Sequence, residues 1–373
     1  MSWIAPDRLF DGVRLRSGLA LRLLNGRVSD IAPREEVGEA LRLRGTVTPG
    51  FVDLQVNGGG DVLLNADPTP EGMARMAAAH RGLGTVAILP TVITDAPEVL
   101  DRAAAAALEA RGREGLIGLH IEGPHIALPR KGTHAPAHIR PMDARTMEVV
   151  RLLRGAGLPV MITLAPEAAT AAQIGELAGT GAVVSLGHTD ATAEEARAAL
   201  AAGARCFTHL FNAMSQMQNR APGVVGAAIN STAAAGIICD GIHVADEMVA
   251  LALRARPEPD TTFLVSDAMP TVGGSDRFVL YGREIRLEGG RLVNAEGSLA
   301  GAHVTLAQSV ARLVRVLKVA PEIALRMAVS VPARLMDRPD LARIEGRAAG
   351  DLMRLDADWS FLGPVSEVAA LAH

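Results

Sequence analysis

The 373 residues are 49% hydrophobic but only 3% aromatic, so a large core must be built from Ala, Leu and Val, and the length allows a barrel of ~250 residues plus a smaller module. A formal charge of −4 without any block of Lys or Arg excludes a polybasic membrane or nucleic-acid patch, and scarce aromatics exclude stacking on bases. The opening MSWIAPDRLFDG has no apolar signal region and no later apolar run could span a bilayer, so a cytoplasmic protein is expected, with Cys206 and Cys239 as small buried residues in apolar runs.

In chain order, Leu19 to Leu24, Val28 to Ile31 and Leu41 to Val47 read as strands of a small β module, separated by turns such as Asn25-Gly26. Beyond Pro49-Gly50 an alternation begins. Buried strands are predicted at Phe51 to Val56, Thr85 to Leu89, Leu116 to Ile121, Val160 to Leu164, Val183 to Leu186, Ala204 to Thr208, Gly236 to Cys239 and Phe263 to Val265. Helices are predicted at Met73 to Arg81, Pro97 to Arg111, Asp143 to Arg154, Ala191 to Ala202 and Ala245 to Arg256. Eight such strands close a parallel (β/α)8 barrel. Asp276 to Ser298 reads as a β-hairpin insertion, His303 to Leu317 and Pro321 to Met327 as closing helices, and Gly350 to Leu355 as one or two strands that return to the small module.

The chemistry falls at strand ends, which converge on one face of such a barrel. His188 follows Val183 to Leu186, and His209 follows Ala204 to Thr208. Either one alone reads as a core histidine, but repetition at consecutive strand ends points to a metal. Glu122 ends the third strand in LHIEGP, where a carboxylate is expensive unless it meets a cation or a base such as Arg130 or Lys131. One carboxylate and two imidazoles leave a tetrahedral ion an open position for water, whose pKa falls towards ~7. Asp267, after the eighth strand, either caps a turn or serves as a general base. Gln55-Val56-Asn57 precedes Gly58-Gly59-Gly60, which is no phosphate loop because no Gly-Lys-Ser/Thr and no helix follow.

The runs HIEGPH, KGTH, SLGHT, THLFNAM, DGIHV and SDAM resemble those of N-acetylglucosamine-6-phosphate deacetylases in the amidohydrolase superfamily, in order, from about residue 48 to 335. The resemblance implies a TIM-like barrel at 49–334 with a small β-sandwich formed by 1–48 and 335–373. It implies Glu122, His188 and His209 as ligands of one divalent ion, Zn²⁺ first and Fe²⁺ second, with Asp267 as acid/base and His134 polarising the acetyl carbonyl. Thr133, Asn212, Ala213, Arg220, His243, Leu299, Ala300 and Gly301 match substrate-contacting positions. Arg220 is expected to reach the phosphate in the neighbouring subunit of a homodimer.

Many amidohydrolases carry His-X-His where this chain has Gln55-Val56-Asn57, and Leu164-Ala165-Pro166 offers no bridging lysine, so Gln55 and Asn57 are read as neighbours of a single metal. His125 after Glu-Gly-Pro and Met269-Pro270-Thr271 after Asp267 also depart from the pattern, and Ile344 to Asp351 is a form of the family's closing strand-turn. Three functions are carried forward: a deacetylase of N-acetylglucosamine 6-phosphate, with the galactosamine epimer second; another amide hydrolase; and a non-catalytic sugar-phosphate binder. KGTH and the Asn-Ala-Met run argue against the second. Retention of Glu122, His188, His209 and Asp267 argues against the third. No role is assigned to His80, His120, His125, His138, His303 or His373.

Overall fold

The computed structural model describes residues 2–294, 297 and 299–369. Eight parallel strands follow one another around the sheet in chain order: Phe51–Val56, Thr85–Ile93, Leu119–Glu122, Val160–Leu164, Val183–Leu186, Cys206–Phe207, Ala234–Ile237 and Thr262–Leu264. The backbone N–H of Asp267 donates to the Gln55 carbonyl at 3.0 Å, and those of Asn57 and Gly58 donate to the Ala268 carbonyl at 2.9 Å, joining the first strand to the end of the eighth. The barrel is thereby closed beside the residues predicted to do chemistry.

Helices cover the strands because their apolar residues recur at helical spacing. Pro97–Glu109, for example, buries Val99, Leu100, Ala103, Ala104, Ala106 and Ala107. Threonine or aspartate side chains cap several of them: Thr69, Asp143, Thr170, Thr192 and Thr305 each accept from a backbone N–H of the first turn. The helix Ala171–Gly179 was not predicted, although the capping box of Thr170 and Gln173, followed by buried Ile174 and Leu177, is written in the sequence. The short helix Gly223–Ile229 was missed as well, being too apolar all round to show a face.

Strands from both termini form one mixed sheet of seven, in which Ala40–Pro49 pairs parallel with Ser2–Phe10 and antiparallel with Leu352–Leu355. The strand Ser2–Phe10 escaped prediction because Pro6-Asp7 interrupts its alternation, and the ladder shifts register there. The insertion after the eighth strand is larger than a hairpin. Its antiparallel sheet has four strands, Arg277–Leu280, Arg283–Glu288, Arg291–Val293 and Leu299–Ala302, while Ser298, the predicted hairpin end, lies outside the described residues.

Candidate active site

Three strand ends present their side chains through unusual backbone. His188, His209 and Asp267 have φ of 49°, 29° and 51°, a left-handed conformation that costs a non-glycine residue about 1–3 kcal/mol and clusters at functional sites. The side chains converge with Glu122. Glu122 Oε1 lies 3.1 Å from His209 Nε2 and 3.3 Å from His188 Nε2, and the two imidazole nitrogens are 3.0 Å apart. Ligand atoms ~2.0–2.1 Å from a tetrahedral ion stand roughly 3.3 Å from one another, so this triangle fits a divalent metal.

The His188 tautomer agrees with that reading. His188 Nδ1 lies 2.8 Å from the Arg130 carbonyl, which can only accept, so Nδ1 carries the proton and Nε2 offers its lone pair. Burial opposes ionisation of Glu122, but His188 and His209, when protonated, outweigh it and hold the carboxyl well below its usual range. For His209, burial is likewise outweighed by the Glu122 hydrogen bond and charge, which raise its pKa. The atoms of Glu122, His134 and His188 also lie within 4.8 Å of one another. The short edges run to His209 rather than to His134, whose Nδ1 lies 2.7 Å from Thr94 Oγ1.

Gln55 and Asn57 are buried beside this cluster. Gln55 Nε2 donates to Glu122 Oε1 at 2.9 Å and to Asp267 Oδ1 at 3.1 Å, and Asn57 Nδ2 donates to Asp267 Oδ1 at 2.6 Å. Both amides therefore serve Oδ1, and Asp267 Oδ2 has no hydrogen bond among the described residues. Burial, followed by the charge of Glu122, pushes the Asp267 pKa up to about 6. That value suits a group that must take and return a proton near neutrality. Burial, followed by repulsion from His188, pushes His134 down to about 3, so its imidazole is neutral.

A cavity of about 180 Å³ opens onto these groups, lined by Asn57, Glu122, Thr133, His134, His188, His209, Asn212, Ala213, His243, Asp267, Leu299 and Gly301 among others. Asp240 Oδ2 lies 2.6 Å from His243 Nδ1 and raises that imidazole's pKa against the effect of burial, while His243 Nε2 is buried without a partner among the described residues. Two of the expected contacts do not line the cavity. Ala300 is packed into the apolar core of the four-stranded insertion, and Arg220 is exposed on the loop after the sixth strand. A larger cavity of about 490 Å³ lies at the opposite strand ends, near Arg205 and Asp260, and gathers no comparable cluster.

The amidohydrolase family model matches residues 46–370. The chain belongs to the amidohydrolase family. This amidohydrolase is 41% identical over 318 residues to the N-acetylgalactosamine-6-phosphate deacetylase of Shewanella sp. strain ANA-3, covering 84% of this chain and 80% of that one. It is 30% identical over 355 residues to the N-acetylglucosamine-6-phosphate deacetylase of Haemophilus influenzae, covering 92% of each. Its fold matches the crystal structure of N-acetylglucosamine-6-phosphate deacetylase from Pasteurella multocida with a TM-score of 0.89, at 32% identity and 97% coverage of both chains.

Sequence reasoning missed several polar residues of this amidohydrolase. Asp53 is fully buried on the first strand, and the backbone N–H of Ser266 lies 3.2 Å from both its carboxyl oxygens. Burial pushes its pKa up to about 7. A charged residue inside the apolar run FVDLQV was the available signal. His120, given no role, contacts the Leu54 carbonyl through Nδ1 and Thr163 Oγ1 through Nε2, inside the barrel beneath Glu122. His125 is held by Thr146 and the carbonyls of Arg140 and Pro141, which makes it a structural link beneath the loop after Glu122.

Proposed function

We propose that this amidohydrolase hydrolyses the acetamide of N-acetyl-D-glucosamine 6-phosphate to D-glucosamine 6-phosphate and acetate. The observation that carries the reading is the triangle of Glu122, His188 and His209, with edges of 3.0–3.3 Å, on a cavity shared with Asp267 and His134. Those three residues would hold one divalent ion, Zn²⁺ first and Fe²⁺ second, since imidazole and carboxylate suit both. A bound ion supplies the acidification of water that makes a nucleophile available near pH ~7. Asp267 takes the water's proton as the acetyl carbon is attacked, then delivers it to the amine nitrogen, which must be protonated to leave. His134 hydrogen-bonds the acyl oxygen as charge develops on it. Thr133, Asn212, Ala213, Leu299 and Gly301 enclose the sugar, and His243, backed by Asp240, donates to it. Arg220 supplies a guanidinium fork to the phosphate in the neighbouring subunit of a cytoplasmic homodimer.

A second reading, the galactosamine epimer as substrate, is favoured by the name of the relative at 41% identity. Acetate release from both N-acetylhexosamine 6-phosphates and from the unphosphorylated sugars tests the proposal. Phosphorylated substrates are expected to be hydrolysed far better, with the gluco epimer ahead. A reversed epimer order would establish the second reading, and release independent of the phosphate would overturn both.

A further inference from the structure

Thr94 directly follows the second barrel strand and is 1% exposed. Its Oγ1 lies 2.7 Å from Nδ1 of His134, and its carbonyl accepts a hydrogen bond from the Tyr281 hydroxyl. Tyr281, the only tyrosine of the chain, sits at the turn between Arg277–Leu280 and Arg283–Glu288, the first two strands of the insertion. Gly123, next to Glu122, makes room for the Thr94 hydroxyl: a Cβ at that glycine would stand 2.2 Å from Oγ1. Two elements far apart in sequence are thus fitted around one threonine, whose hydroxyl touches one imidazole.

Among the described residues the Thr94 hydroxyl has no hydrogen-bond partner other than His134, so the direction of this bond and the tautomer of the ring are a single choice. If Thr94 donates to Nδ1, the proton resides on Nε2 and the ring presents a donor. If Nδ1–H donates to Thr94, Nε2 presents a lone pair and His134 can act as a ligand in the cluster with Glu122 and His188. Together with His209, the second state would give four protein ligands, the closed arrangement of a structural site that leaves no place for water.

We propose that Thr94 donates its hydroxyl proton to Nδ1 of His134 and fixes the Nε2–H tautomer, so that Thr94 is the positioning residue that keeps His134 a donor to the acyl oxygen rather than a fourth ligand. Tyr281 holds the Thr94 backbone in place from the insertion, which makes that sheet part of the catalytic apparatus. The reading rests on the proposed deacetylase, but its first test needs no substrate.

Nitrogen-15 NMR of the histidine-labelled, Zn²⁺-loaded full chain, with His134 assigned by loss of its signals in His134→Gln, is expected to show Nε2 protonated and Nδ1 bare. Nδ1 protonated would overturn the proposal, whether or not the protein releases acetate. In the near-isosteric Thr94→Val, kcat is expected to fall about ten- to a hundredfold with KM within twofold and metal content unchanged, while Thr94→Ser recovers most of the loss. Loss of metal in Thr94→Val, or a serine variant as impaired as the valine, would overturn it. Tyr281→Phe is expected to lower kcat severalfold, again with KM unchanged, and full activity would remove the insertion from the mechanism.

Discussion

Asn57 Nδ2 lies 2.6 Å from Oδ1 of Asp267. This bond links the side chains at the ends of the first and eighth strands, where the Asp267 N–H also donates to the Gln55 carbonyl at 3.0 Å. Closure of the barrel and placement of the proposed base are therefore one event. With Gln55 and Asn57 both serving Oδ1, the other carboxylate oxygen is left for proton transfer.

Asp267→Asn keeps the shape of the side chain but removes the proton acceptor. Turnover is expected to fall by roughly 10²–10⁴-fold. Elemental analysis should show the metal content of the wild type, because Glu122, His188 and His209 are untouched. Appreciable acetate release by this variant would place the base elsewhere.

In the proposed mechanism the ionised form of Asp267 is the base, so activity should rise as pH passes upward through its pKa. Burial and the charge of Glu122 raise that pKa, whereas the Asn57 hydrogen bond lowers it. In Asn57→Ala the lowering contact is gone, and the acidic limb of the kcat/KM profile is expected to move to higher pH than in the wild type. A limb that stays in place or moves down would contradict the role given to this pair.

Asp53, held by the backbone N–H of Ser266 next to Asp267, offers a stability test. Its folded pKa is pushed up from 3.8 to about 7, so the folded chain keeps a proton that the unfolded chain releases. Stability from this group is complete below about pH 4 and is lost as pH rises towards 7, by on the order of 3–4 kcal/mol. Asp53→Asn cannot titrate. Its stability relative to the wild type, measured by urea unfolding, should improve steadily between these limits and level off above them. A flat difference would mean that Asp53 is ionised in the folded protein throughout.

Arg220 is exposed on its own loop, as a residue that reaches into a neighbouring subunit would be in a single chain. Mixing Arg220→Ala chains with Asp267→Asn chains, each nearly inactive alone, should restore roughly a quarter of wild-type activity under random pairing, since half the dimers carry one intact site of two. No recovery, with subunit exchange verified by mass, would contradict the crossing.

The barrel was legible because each buried strand is an apolar run bounded by turn residues, and the meeting of Glu122, His188 and His209 because each follows such a run. What the sequence hid depends on contacts across it. The second strand continues past Pro90 to Ile93, and a reading that stops at the proline never brings Thr94 to the barrel mouth. Tyr281 reaches Thr94 over 187 positions, and no local pattern announces such a pairing. Ala300 was matched by position in a motif, yet side chains alternate along a strand, and its methyl faces the core of the insertion.

Titration of Zn²⁺ into metal-free chains, with acetate release from N-acetyl-D-glucosamine 6-phosphate as readout, tests the central claim most directly. A single ion held by Glu122, His188 and His209 predicts no activity without metal and a linear rise that saturates at one equivalent per chain. Activity that persists after metal removal, or that saturates only at two equivalents, would contradict it.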